Sequence, residues 1–290
     1  MKVAGVEISN AERIVFPERK ATKAAVARHY AAVAKRMLPQ VEGRPLALVR
    51  CPEGTTGECF FQKHWVGTLP DALSSVMIEQ SDGHTRPYVV VDDVSGLVTL
   101  AQWGVIEVHP WGARADDPER PDRIIFDVDP GPGVRWTAVR QAALDLRRLL
   151  TSLGLVPFLK TSGGKGLHIV VPIERRVSWE VASGFSRAVA ERLANEQPER
   201  YLSKAAKAAR KGKIFIDWLR NSRGATAVAP WSLRARAEAG VSVPITWRAL
   251  STLRAGDQYQ LGKLPTGDAW RAIDAAARRI TVGMVKKLKS

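Results

Sequence analysis

Cysteine is nearly absent: the chain has two in 290 residues, Cys51 and Cys59. Two cysteines cannot build the framework that staples small secreted domains, so a disulfide scaffold is not expected and a reducing cytoplasm fits. His64 lies nearby, but a structural zinc site needs four Cys or His ligands at tight spacings, which this stretch does not supply. No apolar run is long enough to span a bilayer, and the N-terminus lacks the charged-then-apolar pattern of a secretion signal, so no membrane partner is expected. Acid is also scarce: 29 Asp+Glu stand against 44 Lys+Arg, a net +15. Such an excess points to a polyanionic partner, and nucleic acid is favoured. Neither an internal repeat nor a low-complexity linker is visible.

With 45% hydrophobic residues there is ample material for a core. The periodicity predicts a helix over residues 22–38, capped by Thr22, with Val26, Tyr30, Val33 and Met37 on one face and Pro39 ending it. Strands are predicted over 45–50, 88–91 and 104–108, at the Asp127 segment, and over 156–160 and 167–171. A strong amphipathic helix covers 137–153, with Val139, Ala142, Leu146, Leu149 and Leu153 on one side. A further helix covers 178–194. A strand at 214–219 follows, with 226–229 as a candidate partner, and a last helix covers about 268–279. Strands and helices do not alternate regularly, which argues against a doubly wound or barrel plan. The expectation is an α/β (α+β) chain, one compact domain over residues 1–290, with mixed or mostly antiparallel sheets.

The most informative segment is Arg123-Ile124-Ile125-Phe126-Asp127-Val128-Asp129-Pro130. Alternate side chains of a strand share a face, so both carboxylates point the same way before Pro130 and the Gly131-Pro132-Gly133 run stop the strand. Paired acids are tolerated most easily with a cation between them, and hard oxygen ligands suit Mg²⁺ or Mn²⁺. A solvated strand end or turn cap is the bland alternative.

Thr161-Ser162-Gly163-Gly164-Lys165-Gly166-Leu167-His168 offers close backbone approach and donors for phosphate oxygens. It lacks the Walker A order and lies between two strands, where an unliganded glycine hairpin is the alternative. Asp217, inside the apolar run Phe215–Leu219, needs a partner. That partner is either an arginine or a metal shared with Asp127 and Asp129. Arg234 and Arg236, two apart, could share a face suited to phosphate. Residues 203–213, with Lys204, Lys207, Arg210, Lys211 and Lys213, form a basic segment that is a candidate DNA contact. Phe60 and Phe61, beside Lys63 and His64, suit a stacking platform for a base, with core aromatics the alternative.

Taken in order, these motifs resemble the polymerase domain of bacterial DNA ligase D, in the archaeo-eukaryotic primase superfamily. The resemblance spans essentially the whole chain, through Arg50-Cys51-Pro52, the 60–64 run, the 100–111 stretch, Asp127-Val128-Asp129-Pro130 and residues 222–234. It implies a primase-polymerase fold whose sheets form a catalytic cradle flanked by helices. By the same resemblance, Asp127, Asp129 and Asp217 bind two divalent ions, Mn²⁺ or Mg²⁺. Ser162, Lys165 and His168 hold the triphosphate of an NTP or dNTP, helped by His109, Arg220, Arg234 and Arg236, and Phe60 and Phe61 pack on the base. Asn10, Arg13 and Lys23 fall where the family binds the 5′-phosphate of a gapped or recessed DNA end. Position 13 is Arg where relatives often carry Lys. The implied activity is addition of nucleotides, preferably ribonucleotides, to a primer 3′-hydroxyl in non-homologous end joining. Ku and a DNA ligase are the implied partners, in the cytoplasm at the nucleoid. A primase for replication or damage tolerance, or a non-catalytic DNA-end bridging module, are the competing readings.

Overall fold

The long amphipathic segments form helices because their apolar positions recur at 3.6-residue spacing and their N-termini are capped. In α1, Lys23–Val41, the Thr22 hydroxyl accepts from the Ala25 N–H, and Val26, Tyr30, Val33 and Met37 are all buried. Each such side chain contributes about 1.5–3 kcal/mol of burial. Pro39 does not stop this helix as expected. It falls within the last turn, where it removes one backbone bond, while buried Gln40 and Val41 hold the chain in place.

The computed structural model describes residues 1–289; Ser290 and the side chains of Lys207, Ala208 and Lys289 lie outside that description. The backbone packs as two compact units, residues 1–118 with 226–243 and 259–266, and residues 119–225 with 244–258 and 267–290.

The first unit begins with two small antiparallel pairs, β1 Lys2–Val3 with β2 Val6–Glu7, and β3 Ile14–Phe16 with β4 Ala21–Thr22. After α1 come β5 Leu46–Arg50, β6 Phe60–Gln62, β7 Ser74–Glu79, β8 Thr85–Val90, α2 Val94–Gln102 and β9 Val105–Pro110. The five strands make one sheet in the order β6-β5-β8-β7, with β9 also paired to β5. Sequence periodicity missed α2, which is short and contains Gly96; Asp93 caps it by accepting from the Gly96 N–H.

The two cysteines are paired, contrary to the expectation drawn from their number. Strands β5 and β6 set Arg50 opposite Phe60, so the next residues outward, Cys51 and Cys59, face each other. The compositional argument for a reducing compartment loses its force with this bridge. No helix among the described residues is long and apolar enough to cross a membrane.

The second unit holds β10 Arg123–Pro130, α3 Trp136–Ser152, β11 Phe158–Thr161, β12 Leu167–Pro172, α4 Trp179–Glu196, β13 Tyr201–Leu202, β14 Ile214–Asp217, β15 Pro244–Ile245 and α5 Val282–Lys289. Its six strands run β13-β14-β10-β12-β11-β15, antiparallel except between β13 and β14. The catalytic candidate strand β10 is central, and α3 and α4 bury apolar faces that include Val139, Leu146, Phe185 and Val189.

Two expectations fail here. Residues 226–229 do not pair with β14; Thr226 bridges Trp111 in the first unit's sequence instead. The helix expected over 268–279 is replaced by a short 3₁₀ turn, Asp274–Ala276. Trp270 and Ile273 are buried with Val170, and Trp270 Nε1 donates to the Leu159 carbonyl. Arg278 then pairs with Ile173 in extended geometry, which ends any helical run.

Candidate active site

Strand register builds the acidic centre of the second unit. Asp127 on β10 is opposite Asp217 on β14 and opposite His168 on β12, and His168 is opposite Lys160 on β11. Cross-strand partners share a face of the sheet. Asp217, Asp127, His168 and Lys160 thus form one row of ionisable side chains across four strands. Asp129, two residues along β10, lies on the same face.

The row is electrostatically tense. Burial pushes the Asp127 carboxyl up to about 7; the charges of Arg220 and Lys160 oppose the rise, and those of Asp217 and Asp129 add to it. His168 Nε2 stands 3.5 Å from Asp127 Oδ1. Arg220 Nε is 3.2 Å from Asp217 Oδ2, and Asp217 Oδ1 accepts from the Leu219 N–H at 2.9 Å. Arg210 Nη1 donates to Asp129 Oδ2 at 2.7 Å, and its guanidinium lies over the Phe215 ring. Gly131 makes this approach possible, since a Cβ there would meet the Arg210 carbonyl oxygen at 1.8 Å.

Arg210 therefore turns from the basic 203–213 segment toward an acid, and Lys213 Nζ donates to the Pro198 carbonyl. Lys204 is exposed, and the Lys207 side chain lies outside the described residues.

Among the described residues no three His, Cys, Asp or Glu side chains converge closely enough to hold a metal ion; Arg210 and Arg220 engage two of the acids instead. The donor set nevertheless fits a hard divalent cation. It supplies three carboxylates, one of which resists ionisation until positive charge arrives.

The glycine-rich segment connects β11 to β12, as read from the sequence. Ser162 organises it, its buried hydroxyl accepting from the N–H groups of Gly164 and Gly166 at 3.1 Å each. Gly166 packs so closely on β10 that a Cβ would meet the Val128 carbonyl oxygen at 2.3 Å. Lys165 is exposed and lines a cleft of about 470 Å³ with Pro130, Gly133, Trp136, Arg254 and Asp257.

In the first unit, β9 sets Glu107 and His109 on one face, and Glu107 is the residue that sequence reasoning passed over. Its Oε2 accepts from His109 Nε2 at 2.8 Å and from Arg234 Nε at 3.0 Å, while Oε1 accepts from the Ala235 N–H at 2.8 Å. Burial alone would raise the Glu107 carboxyl, but the His109 hydrogen bond and the Arg234 charge hold it down at about 2. Arg234 arrives because the 229–234 segment is tied to β9: the Ala229 N–H donates to the Val108 carbonyl, and the Val108 N–H to Ser232 Oγ. Arg236 does not share a strand face with Arg234. The two lie in a tight turn, and Arg236 is exposed. Phe60 and Phe61 on β6 are exposed, not core, and Phe61 meets His109 edge to face with centroids 5.7 Å apart.

Asn10, Arg13 and Lys23 form a separate basic corner of this unit. Asn10 sits in a turn with φ +50°, and its carbonyl accepts from the Arg13 N–H. Lys23 is 4% exposed, and its Nζ donates to the Ser9 carbonyl at 3.0 Å. Burial, then the charge of Arg13, lowers the Lys23 pKa. Arg13 Nε is buried without a hydrogen-bond partner, and among the described residues no carboxylate pairs with either cation. Two neighbouring cations with no acid between them suit an anion.

Comparison with known proteins points to one family. A family model, LigD, primase-polymerase domain, matches residues 22–270. The multifunctional non-homologous end joining protein LigD of Pseudomonas aeruginosa is 39% identical over 292 residues, covering 98% of this chain and 35% of that protein. The multifunctional non-homologous end joining DNA repair protein LigD of Mycobacterium tuberculosis is 36% identical over 253 residues, 84% of this chain and 33% of that protein. The chain thus spans about a third of the length of these curated relatives. Among solved structures, the polymerase domain from M. tuberculosis ligase D in complex with DNA superposes with a TM-score of 0.87 at 33% identity. It covers 94% of this chain and 99% of that one.

Proposed function

The chain belongs to the LigD primase-polymerase domain family, and from that premise we propose that it is a DNA-end-directed nucleotidyltransferase, acting as one functional domain over residues 1–290. It adds nucleotides, ribonucleotides by preference, to a primer 3′-hydroxyl at gapped or recessed ends during non-homologous end joining. The observation that carries this reading is the row Asp217, Asp127, His168 and Lys160, with Asp129 beside it.

Asp127, Asp129 and Asp217 would hold two divalent ions, Mn²⁺ or Mg²⁺. Bound there, such ions supply Lewis-acid charge at the attacking and leaving oxygens of phosphoryl transfer. The chain's own residues do the rest. Arg210 and Arg220 must yield their carboxylates, which frees two guanidinium groups beside a polyphosphate. Buried Lys160 keeps positive charge near Asp127, His168 sets its imidazole beside the same carboxyl, and Lys165 presents an ammonium at the mouth of the glycine loop. His109 and Arg234, fixed by Glu107, add donors for the nucleotide, and Phe61 offers its ring to the base. Ku and a DNA ligase are the partners proposed with this activity, and the nucleoid its place in the cell.

The test is primer extension on a gapped duplex carrying a 5′-phosphate, with Mn²⁺ and ribo- or deoxynucleotides. Extension, faster with ribonucleotides, supports the proposal. Tight metal-independent binding with no extension would make the chain a bridging module, and equal activity on bare single strands would make it a primase.

Arg13 and Lys23 give a second expected result. The double variant Arg13→Ala/Lys23→Met loses the preference for a 5′-phosphorylated over an unphosphorylated gap by roughly 10–100-fold, the size of a lost charge-assisted contact. The slope of log affinity against log salt falls by about 1–2. A titration by fluorescence anisotropy on both substrates reads both effects, and an unchanged preference rejects the assignment.

A further inference from the structure

The 5′-phosphate corner is wired to an exposed aromatic surface centred on Trp103, a residue that the proposed reaction leaves unused. The Ser9 N–H donates to Gln102 Oε1 at 3.0 Å, and Gln102 Nε2 donates to Ser9 Oγ at 2.8 Å. Ser9 is also the residue whose carbonyl holds Lys23. Gln102 is the last residue of α2, and the next residue is Trp103, whose N–H bonds back to the Thr99 and Leu100 carbonyls. The indole therefore stands at a fixed helix end, one residue from the wiring of the phosphate corner.

Trp103 is 44% exposed and Phe60 41% exposed, values that rule out a core role for either. Arg50 joins them: its Nε donates to the Trp103 carbonyl at 3.1 Å and its Nη1 to Gln62 Oε1 at 2.9 Å. Its guanidinium carbon lies 5.6 Å from the Phe60 ring centroid and 5.4 Å from that of Trp65. Trp65, nearly buried, buttresses Trp103 edge to face at 5.4 Å. The surface thus carries two exposed rings: Phe60 beside the Arg50 guanidinium, and Trp103, whose ring rests on Trp65 and whose carbonyl Arg50 holds. Such a combination of aromatic faces and positive charge suits the π-face of a nucleobase on a polyanionic chain.

We propose that Trp103, with Phe60 and Arg50 beside it, stacks on the terminal base of the 5′-phosphorylated DNA strand. This rests on Arg13 and Lys23 being the 5′-phosphate ligands. The terminal base is the one tied covalently to that phosphate, so it lies within one nucleotide's reach of the corner. Stacking there gives the end a second handle, independent of sequence because every base has a π-face.

The experiment places 2-aminopurine at the 5′-terminal nucleotide of the phosphorylated strand of a gapped duplex, without nucleotide or metal. Terminal pairs fray, so the probe is bright when free, and stacking on an indole quenches it. The expected result is quenching by the wild-type protein, lost in Trp103→Ala with affinity weakened roughly ten-fold, and kept in Trp103→Phe. Trp103 is exposed, and matched circular dichroism and Tm of the variants confirm that they fold. Equal affinity and equal quenching in wild type and Trp103→Ala overturn the proposal. So does quenching confined to a probe at the first unpaired template nucleotide. Because no turnover is read, the failure of the polymerase reading is seen separately, as absent extension with the quench intact. Loss of 5′-phosphate preference in Arg13→Ala/Lys23→Met without any Trp103 effect sinks this inference alone.

Discussion

Asp127→Asn is expected to abolish nucleotide addition, by about 10³-fold or more, while making the metal-free protein more stable. The amide keeps the shape of the carboxyl but removes the charge that divalent ions require. The stability gain follows from the row it occupies. Asp127 lies against Asp217 and Asp129, and burial drives its carboxyl up to about 7. A carboxyl raised in the folded state above its unfolded value near 3.8 gives stability that is fully present below that value. This stability is lost as pH rises toward 7. At pH 8 the ionised group costs the metal-free wild type up to about 4 kcal/mol, about 1.4 kcal/mol for each of roughly three units. Asp127→Asn escapes that cost. Its Tm should exceed that of the wild type at pH 8 and converge with it near pH 4. Adding Mn²⁺ should raise the wild-type Tm and leave the variant nearly unmoved. A variant less stable than wild type at pH 8 without metal would show that the acids are not in tension, and would remove the argument for a cation among them.

The same row shows what a sequence makes legible and what it hides. That Asp127 and Asp129 share a face follows from the two-residue repeat of any strand, and Pro130 with the glycines marks where the strand stops. That Asp217 belongs with them does not follow, because its place opposite Asp127 is a matter of register between strands far apart in the chain. The family resemblance supplied that pairing where the residues alone left an arginine or a metal equally open; the structure has both Arg220 and Asp127 beside it. Lys160 escaped notice because a lysine in an apolar strand carries no local signal of what lies two strands away. The disulfide was missed for the same reason: composition counts cysteines, whereas the pairing of β5 with β6 decides whether two of them meet. The helix expected over residues 268–279 shows the opposite error. Its apolar spacing is real, but Trp270 and Ile273 satisfy it through separate turns against Val170.

Glu107 carries the second large effect, and it was within reach of sequence reasoning, two residues before His109 on a strand. Glu107→Ala should lower nucleotide addition by roughly 10–100-fold, the range seen when the partner that orients a functional side chain is removed. Glu107 is a positioning residue: it fixes His109 and Arg234 at one carboxylate oxygen, and without it each of these side chains loses its buried acceptor. The loss should therefore fall mainly on KM for the nucleotide, since binding donors are displaced while the acids of the second unit are untouched. Glu107→Gln keeps one carbonyl oxygen and should recover part of the activity, which a general loss of folding would not allow. Stability gives an independent reading. The carboxyl is held down to about 2 from about 4.5, so its contribution of about 3 kcal/mol is present above pH 4.5 and lost as pH falls toward 2. This window is the reverse of Asp127's. Acid unfolding of Glu107→Ala should accordingly be shallower than that of the wild type between pH 5 and 2, starting from a lower Tm at neutral pH. Wild-type kinetics in Glu107→Ala would detach His109 and Arg234 from the reaction and leave the acids, the glycine loop and the arginines of the second unit to handle the nucleotide alone.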